Sequence, residues 1–307
     1  MSEIAEQIAL IAALLATSFV GPAVAIGFLI VRKRRARARR RSPVAIDLLR
    51  SPGHTLREQL DDMGIDVLSD VFLLMFVPLL ALAIFLAQSH LRGLDGMTRI
   101  GTIYAASVLI FMAIMVRALW KKGVRIDGLK AGYDAELAVG QELDQLMRQG
   151  AFVFHDFPAS NFNIDHVVIA VEGIFAVETK GFTKPNRGQG RADATVSFDG
   201  KALKFPTWAT KEPLDQAERQ ADWLAKWLTS ATGSPMHVLP VLALPGWYVE
   251  LSGRGNVSVY SGRQLAQLLR SRGAQPLTDQ DVQRVVHQVE QRCRTVAAKY
   301  AENKKAS

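Results

Sequence analysis

Residues 163–181 bring two carboxylates and a lysine within reach of one another. Two apolar runs flank Glu172 and Gly173, the pattern of a β-hairpin. Asp165 opens the first run, and Glu178 and Lys180 close the second. Side chains alternate along a strand, so Glu178 and Lys180 share one face while Thr179 points to the other. Asp165, near the open end of the partner strand, can meet them there. Charged groups at the edge of an apolar sheet are costly unless compensated, and a divalent cation compensates them. Mg²⁺ prefers oxygen ligands and usually takes one or two carboxylates beside water and phosphate. Asp165 and Glu178 suffice as metal ligands, for Mg²⁺ or Mn²⁺, with the Val177 or Thr179 carbonyl as a further candidate. A cation so held activates a water and offsets charge on the transition state of phosphodiester hydrolysis. Lys180 can orient the water, help to deprotonate it, or neutralise developing charge.

Other elements must position this hairpin. Tyr133 to Met147 has helical spacing after a short linker at residues 127–132. Glu136 falls in its first turn, where a carboxylate is often only a partner of the helix dipole; it could also contact the metal through water. Residues 151–156 read as a strand, and residues 182–194, rich in Gly, Lys and Arg, as a loop. Asp199-Gly200 turns a second hairpin between Thr195–Phe198 and Lys201–Phe205. From Lys180 to Lys211 seven basic residues face only Asp193 and Asp199. Lys184, Arg187, Arg191, Lys201 and Lys204 are therefore candidate phosphate-backbone contacts, the plainer account being solvated loop charge. Glu212-Pro213 starts a helix with proline near its first turn. Gln216, one turn in, can position the attacking water or a phosphate. Trp223 and Trp227 on that helix read as core. Strands follow at residues 238–244 and 257–260, then helices at 262–270 and from Thr278 to about Tyr300. His155, His166, His237 and His287 lack metal-ligand spacing and read as structural or exposed. The single cysteine, Cys293, excludes an intrachain disulfide.

The rest of the chain is different in character. Apolar residues make up 49% of its 307 positions, which directs attention to membrane segments. Residues 8–31 are uncharged and long enough to span a bilayer. Acidic Glu3 and Glu6 precede this run and the positive charge follows it, the reverse of a signal peptide. Arg32–Arg41 is a basic juxtamembrane run, read as a topology determinant that keeps its loop cytoplasmic, with contact to anionic lipid; a nucleic-acid arm is the rival reading. A polar connector at residues 42–66 contains Thr55 and Glu58 at capping-box spacing, for a short helix from Thr55 to Asp66. Residues 71–87 and 100–119 are two further apolar runs, and Trp120, Lys121 and Lys122 follow the second. Three spans place both basic stretches on one side, with the C-terminal part in the cytoplasm. No charge lies at mid-membrane depth, so transport has no support. Residues 1–130 hold 17 Lys/Arg against 10 Asp/Glu, and residues 131–307 hold 20 against 19. The net charge of +8 thus belongs to the membrane half and is no argument that the other half binds nucleic acid.

Four blocks in order carry a resemblance over residues 129–245. They are Gly132, Ala135, Glu136, Val139 and Leu143; then Ile164 to Val168; then Gly173 to Lys180; then Pro213, Leu214 and Gln216. This pattern resembles the nuclease-related domain (NERD), a branch of the restriction-endonuclease-like PD-(D/E)xK superfamily. It departs at Ala135, where the family often has glycine. The resemblance implies a restriction-endonuclease-like mixed α/β sheet flanked by helices. It also implies a catalytic core of Asp165, Glu178 and Lys180 supported by Glu136 and Gln216, and Mg²⁺-dependent cleavage of DNA or RNA. The expected organisation is a membrane helix with its basic run (1–41), a connector (42–66), a transmembrane hairpin (67–122), the nuclease-like domain (129–245) and a C-terminal completion (246–307). The expected location is the inner membrane, multi-pass. The alternatives are a non-catalytic nucleic-acid-binding module and a membrane scaffold.

Overall fold

A computed structural model describes residues 46–92 and 97–297, with residues 24, 25, 27–29, 31, 32 and 35. Most of the first apolar run and most of the basic run lie outside these residues. The chain divides into a helical unit built on residues 62–125 and an α/β unit of residues 46–61 and 126–297.

Among the described residues two helices are long and apolar enough to cross a membrane, not three. Helix α1 is His54–Arg92 and helix α2 is Met97–Asp144. Both run through segments that the sequence reading breaks up. The connector helix and the second apolar run are one element. The 127–132 linker is helical, so Glu136 lies near the end of a 48-residue helix and not in a first turn. Glu136 stands eight residues before Asp144, beyond the one turn over which a helix dipole acts, which removes the plain account of it. Gly128 and Gly132 do not break the helix, because an isolated glycine costs only about 1 kcal/mol against a long cooperative run. In the helical unit the two apolar runs are tied at one end by Lys122 and Asp70, 2.6 Å apart. Phe85 packs on Tyr104 nearer the other end, with ring centroids 5.7 Å apart.

The α/β unit is built on a five-stranded mixed sheet. Strands β2 (Phe152–Pro158), β3 (Asn163–Ala170) and β4 (Gly173–Thr179) form an antiparallel meander. The β3–β4 turn falls on Val171 and Glu172, with Gly173 opening β4 opposite Ala170. Strands β8 (Val238–Leu244) and β10 (Ser258–Ser261) add in parallel, for the order β10-β8-β4-β3-β2. A second sheet comprises β5 (Thr195–Phe198), β6 (Leu203–Lys204), β7 (Ala209–Thr210) and β9 (Tyr248–Leu251), ordered β7-β6-β5-β9. The Asp199-Gly200 hairpin forms as expected, its turn closed by Asp199 Oδ1 accepting from the Lys201 and Ala202 amides. Helices α3 (Glu212–Thr232) and α4 (Asp279–Cys293) share one core cluster with Ile174 and Ala176 of β4. Phe175 and Val177 pack instead with Val139 and Leu143 of α2, as strand alternation requires.

The C-terminal helix stops earlier than its pattern suggests. After Cys293 the chain forms β11 (Arg294–Val296), which pairs antiparallel with β1 (Leu48–Leu49). A short strand in the connector, invisible to periodicity at two residues, thus ends the helix. Residues 262–270 are a 3-10 helix with a capping box at Ser261 and Gln264. Trp223 and Trp227 stack with centroids 6.3 Å apart against the core, as expected of core residues.

Candidate active site

Strand β4 is buried along its whole length and ends on Glu178 and Thr179. Alternation turns Glu178 toward helix α3. There Gln216 Nε2 donates to Glu178 Oε1 at 2.8 Å, and Lys180 Nζ sits 2.7 Å from the same oxygen. The other oxygen, Glu178 Oε2, is buried and has no hydrogen-bond partner. On β3, Asp165 Oδ2 accepts the Thr179 amide at 2.7 Å. A side chain of one strand thus pins the end of the next.

Helix α2 reaches the same place because Gly181 lets it. A Cβ at Gly181 would lie 2.7 Å from the Ala131 carbonyl oxygen and 2.8 Å from the Ala135 Cβ. Glu136, the next residue along, is buried beside these carboxylates. Burial, then Asp156 and Glu178, push its carboxyl up to about 8. Burial, then Glu178 and Glu136, push Asp165 well above the usual carboxylate range. Lys180 is pulled down by burial, but Glu178 and Asp165 outweigh that and hold it above its ordinary value. A raised lysine is a fixed cation, which suits charge neutralisation better than proton abstraction.

Sequence reasoning overlooked a second cluster. Asp156, buried and directly opposite Asp165 in the strand register, is the one non-glycine residue with positive φ (49°) among those described. The β2–β3 pairing skips the Asp156–Asp165 position and resumes at Phe157 and Ile164. Alternation breaks there: Phe154 and Phe157, three residues apart, lie in the same core cluster. Asp156 Oδ2 accepts from Arg50 Nη1 at 2.7 Å and Thr55 Oγ1 at 2.8 Å, and Oδ1 from Asn163 Nδ2 at 3.2 Å. The Gly53 backbone amide lowers the Glu136 carboxyl against the effects that raise it. Arg50, Gly53 and Thr55 all come from the segment read as a connector without chemistry. Thr55 spends its hydroxyl on Asp156 and not on capping a helix. Two signals were present in the sequence: a lone arginine among apolar residues at position 50, and Pro52-Gly53, which pack on Gly140 and Tyr133.

His155 and His166 are structural, while His237 and His287 are exposed. His155 and His166 face each other through their Nδ1 atoms at 2.9 Å, and His155 Nε2 lies 3.0 Å from Asp144 Oδ1. Burial, then His155, lower the His166 pKa well below normal. Of the basic residues, Lys204 pairs with Asp199 at 2.9 Å and the Arg191 guanidinium covers the Tyr248 ring at 4.5 Å. Lys184, Arg187 and Lys201 are exposed. No group of three His, Cys, Asp or Glu side chains placed to hold a metal occurs among the described residues.

Two carboxylates, a lysine and a glutamine thus gather at the end of a buried strand in a mixed α/β unit. The family model for the nuclease-related domain (NERD) matches residues 131–245. No curated protein and no solved structure matches the chain.

Proposed function

We propose that the chain is a membrane-anchored, Mg²⁺-dependent nuclease that hydrolyses phosphodiester bonds of DNA or RNA, on a restriction-endonuclease-like fold. The observation that carries this reading is the state of Glu178. One carboxylate oxygen is shared by Lys180 and Gln216, while the other is buried without a partner. Such an oxygen is costly to leave unsatisfied, and a cation beside it and Asp165 removes the cost. Burial, and after it the mutual repulsion that also raises Asp165 and Glu136, favours the same occupant. Two protein carboxylates, with water and phosphate, match the ligand habit of Mg²⁺, so the absence of a three-ligand cluster among the described residues fits. When bound, Mg²⁺ or Mn²⁺ supplies a Lewis acid and a water of lowered pKa.

The chain's own residues do the rest. Asp165 and Glu178 hold the metal. Lys180, kept protonated, neutralises charge on the phosphate as it develops. Gln216 fixes the Glu178 rotamer and aligns the water or a phosphate oxygen. Glu136 acts through water. Lys184, Arg187, Arg191, Lys201 and Lys204 contact the nucleic-acid backbone, with DNA the favoured partner. Residues 129–245 form the nuclease-like domain, completed by residues from 246 on. Residues 71–87 and 100–119 span the inner membrane with the first apolar run, leaving the α/β unit cytoplasmic and Arg32–Arg41 on anionic lipid.

The test uses the full chain in detergent with Mn²⁺ or Mg²⁺ and duplex DNA, single-stranded DNA and RNA. Glu178→Gln is expected to lower cleavage on the order of 10²–10³-fold. Equal inactivity of wild type and variant on all three substrates would falsify the reading.

A further inference from the structure

Beside Gln216, on the side of helix α3 that faces the β2–β3 loop, lies a cleft of about 230 Å³ lined by Phe162, Gln216, Arg219 and Gln220. Its components are unlike. Phe162 is 37% exposed, and its ring is held edge-on to Trp223 with centroids 5.7 Å apart. Arg219 is exposed and has no acidic partner among the described residues. Gln220 is 97% buried, yet its Oε1 has no hydrogen-bond partner. Its amide orientation is set by chemistry: Nε2 donates to the Asn163 carbonyl at 3.3 Å, an acceptor that needs a donor. What remains is an orphaned acceptor on a residue that lines the cleft. A buried polar atom of this kind calls for a ligand donor.

We propose that this cleft is a nucleotide subsite of the nuclease reading above, taking one unpaired base of the substrate. Phe162 offers a pre-positioned face for stacking, which serves any base because every base has a π-face. Gln220 Oε1 accepts an N–H from the base edge. Arg219 meets the phosphate of the same nucleotide. Gln216 belongs to both places, since it lines the cleft and donates to Glu178. A base seated here therefore sets the adjoining phosphodiester beside Glu178 and Lys180. A base locked in a duplex cannot enter, so the substrate is single-stranded, frayed or otherwise unpaired at this position.

The test separates this inference from the reading it rests on. Binding of labelled oligonucleotides to the full chain is followed by fluorescence anisotropy with Ca²⁺ in place of Mg²⁺, and cleavage is followed separately with Mn²⁺. Wild type is expected to bind a single strand more tightly than a duplex of the same length. Phe162→Ala should weaken single-strand binding about tenfold, and Phe162→Tyr should restore most of it. Neither change should alter binding of a fully abasic strand. Arg219→Ala should weaken binding to all strands alike and reduce the salt slope by about one. Equal binding of wild type and Phe162→Ala, or an equal loss on the abasic strand, overturns the subsite, leaving a water-filled crevice. Glu178-dependent cleavage of duplex with no Phe162 effect likewise overturns the subsite but leaves the nuclease reading intact. No nucleic-acid binding and no cleavage by wild type sinks both.

Discussion

The two units of this protein break the ordinary burial rule in opposite directions. In the helical unit large apolar side chains stand exposed: Leu79 at 57%, Leu82 at 53%, Ile103 at 64% and Ile110 at 62%. In the α/β unit Glu136, Asp156 and Glu178 are buried. Each arrangement is unfavourable in water unless a partner compensates it. Contiguous apolar surface of this extent asks for lipid or another apolar partner. Buried carboxylates ask for cations. Each unit also contains an ion pair, and the pairs differ as their settings do. Lys122 and Asp70 are 30% and 17% exposed, whereas Arg50 and Asp156 are 18% and 5%.

Changes in the two units should therefore have unequal effects. The largest is expected at Arg50. Arg50→Met leaves Asp156 buried without its cation, a loss of about 3–5 kcal/mol of unfolding free energy, read from denaturant unfolding of the full chain. Adding Asp156→Asn should recover much of that loss; strictly additive losses would show that the two residues do not act as a pair. By the same argument, a fragment beginning at residue 129 lacks Arg50, Gly53 and Thr55 and should not reach native stability.

Leu82→Arg tests the other unit. A charge in the middle of an apolar span costs about 2.5–3.5 kcal/mol of membrane insertion. The chain should shift to the alkali-soluble fraction, while Val171→Arg, on an exposed turn of the α/β unit, should not shift it. Retention of Leu82→Arg equal to wild type would place that surface against something other than lipid.

A smaller effect is expected from pH. Glu136 has an ordinary value of 4.5 and is raised to about 8 in the fold, so the folded state keeps a proton that the unfolded chain has lost. Its contribution to stability is complete below about pH 4.5 and is lost as pH rises through about 8. Metal-free wild type should lose on the order of 1–3 kcal/mol across that window. Glu136→Gln should flatten the profile, and an unchanged slope would assign the titration to another group. The smallest change is expected for Lys122→Ala, about 0–1 kcal/mol in detergent, since a partly exposed pair loses little. A loss as large as that at Arg50 would erase the contrast between the pairs.

Much of the α/β unit was legible because alternation and turn chemistry are local. The β3–β4 hairpin, the Asp199-Gly200 turn, strand β8 and the proline-led start of α3 follow from side-chain period and backbone preference alone. So does the sharing of one side by Glu178, at the end of β4, and Lys180, the residue just past it. What failed was anything set by partners distant in sequence. Periodicity saw a helix around Glu136 but not that it continues from an apolar run, because nothing in residues 120–132 stops a helix. It saw no chemistry in residues 42–66, because Arg50 acquires meaning only when Asp156 lies 2.7 Å away.

The sequence by itself determined the kinds of group available: two strand-end carboxylates, a lysine, a glutamine on the following helix, and apolar runs long enough to span a bilayer. Local rules suffice for these, since residue type and spacing decide which face a side chain occupies. Only the tertiary structure decided which groups share an environment. It set Asp156 in a left-handed conformation opposite Asp165 and drew the connector in to hold it. It packed Ala131 and Ala135 against Gly181, and it left Glu178 Oε2 and Gln220 Oε1 buried without partners. Burial and electrostatic coupling depend on distances between segments as much as a hundred residues apart, and those exist only once the chain has folded.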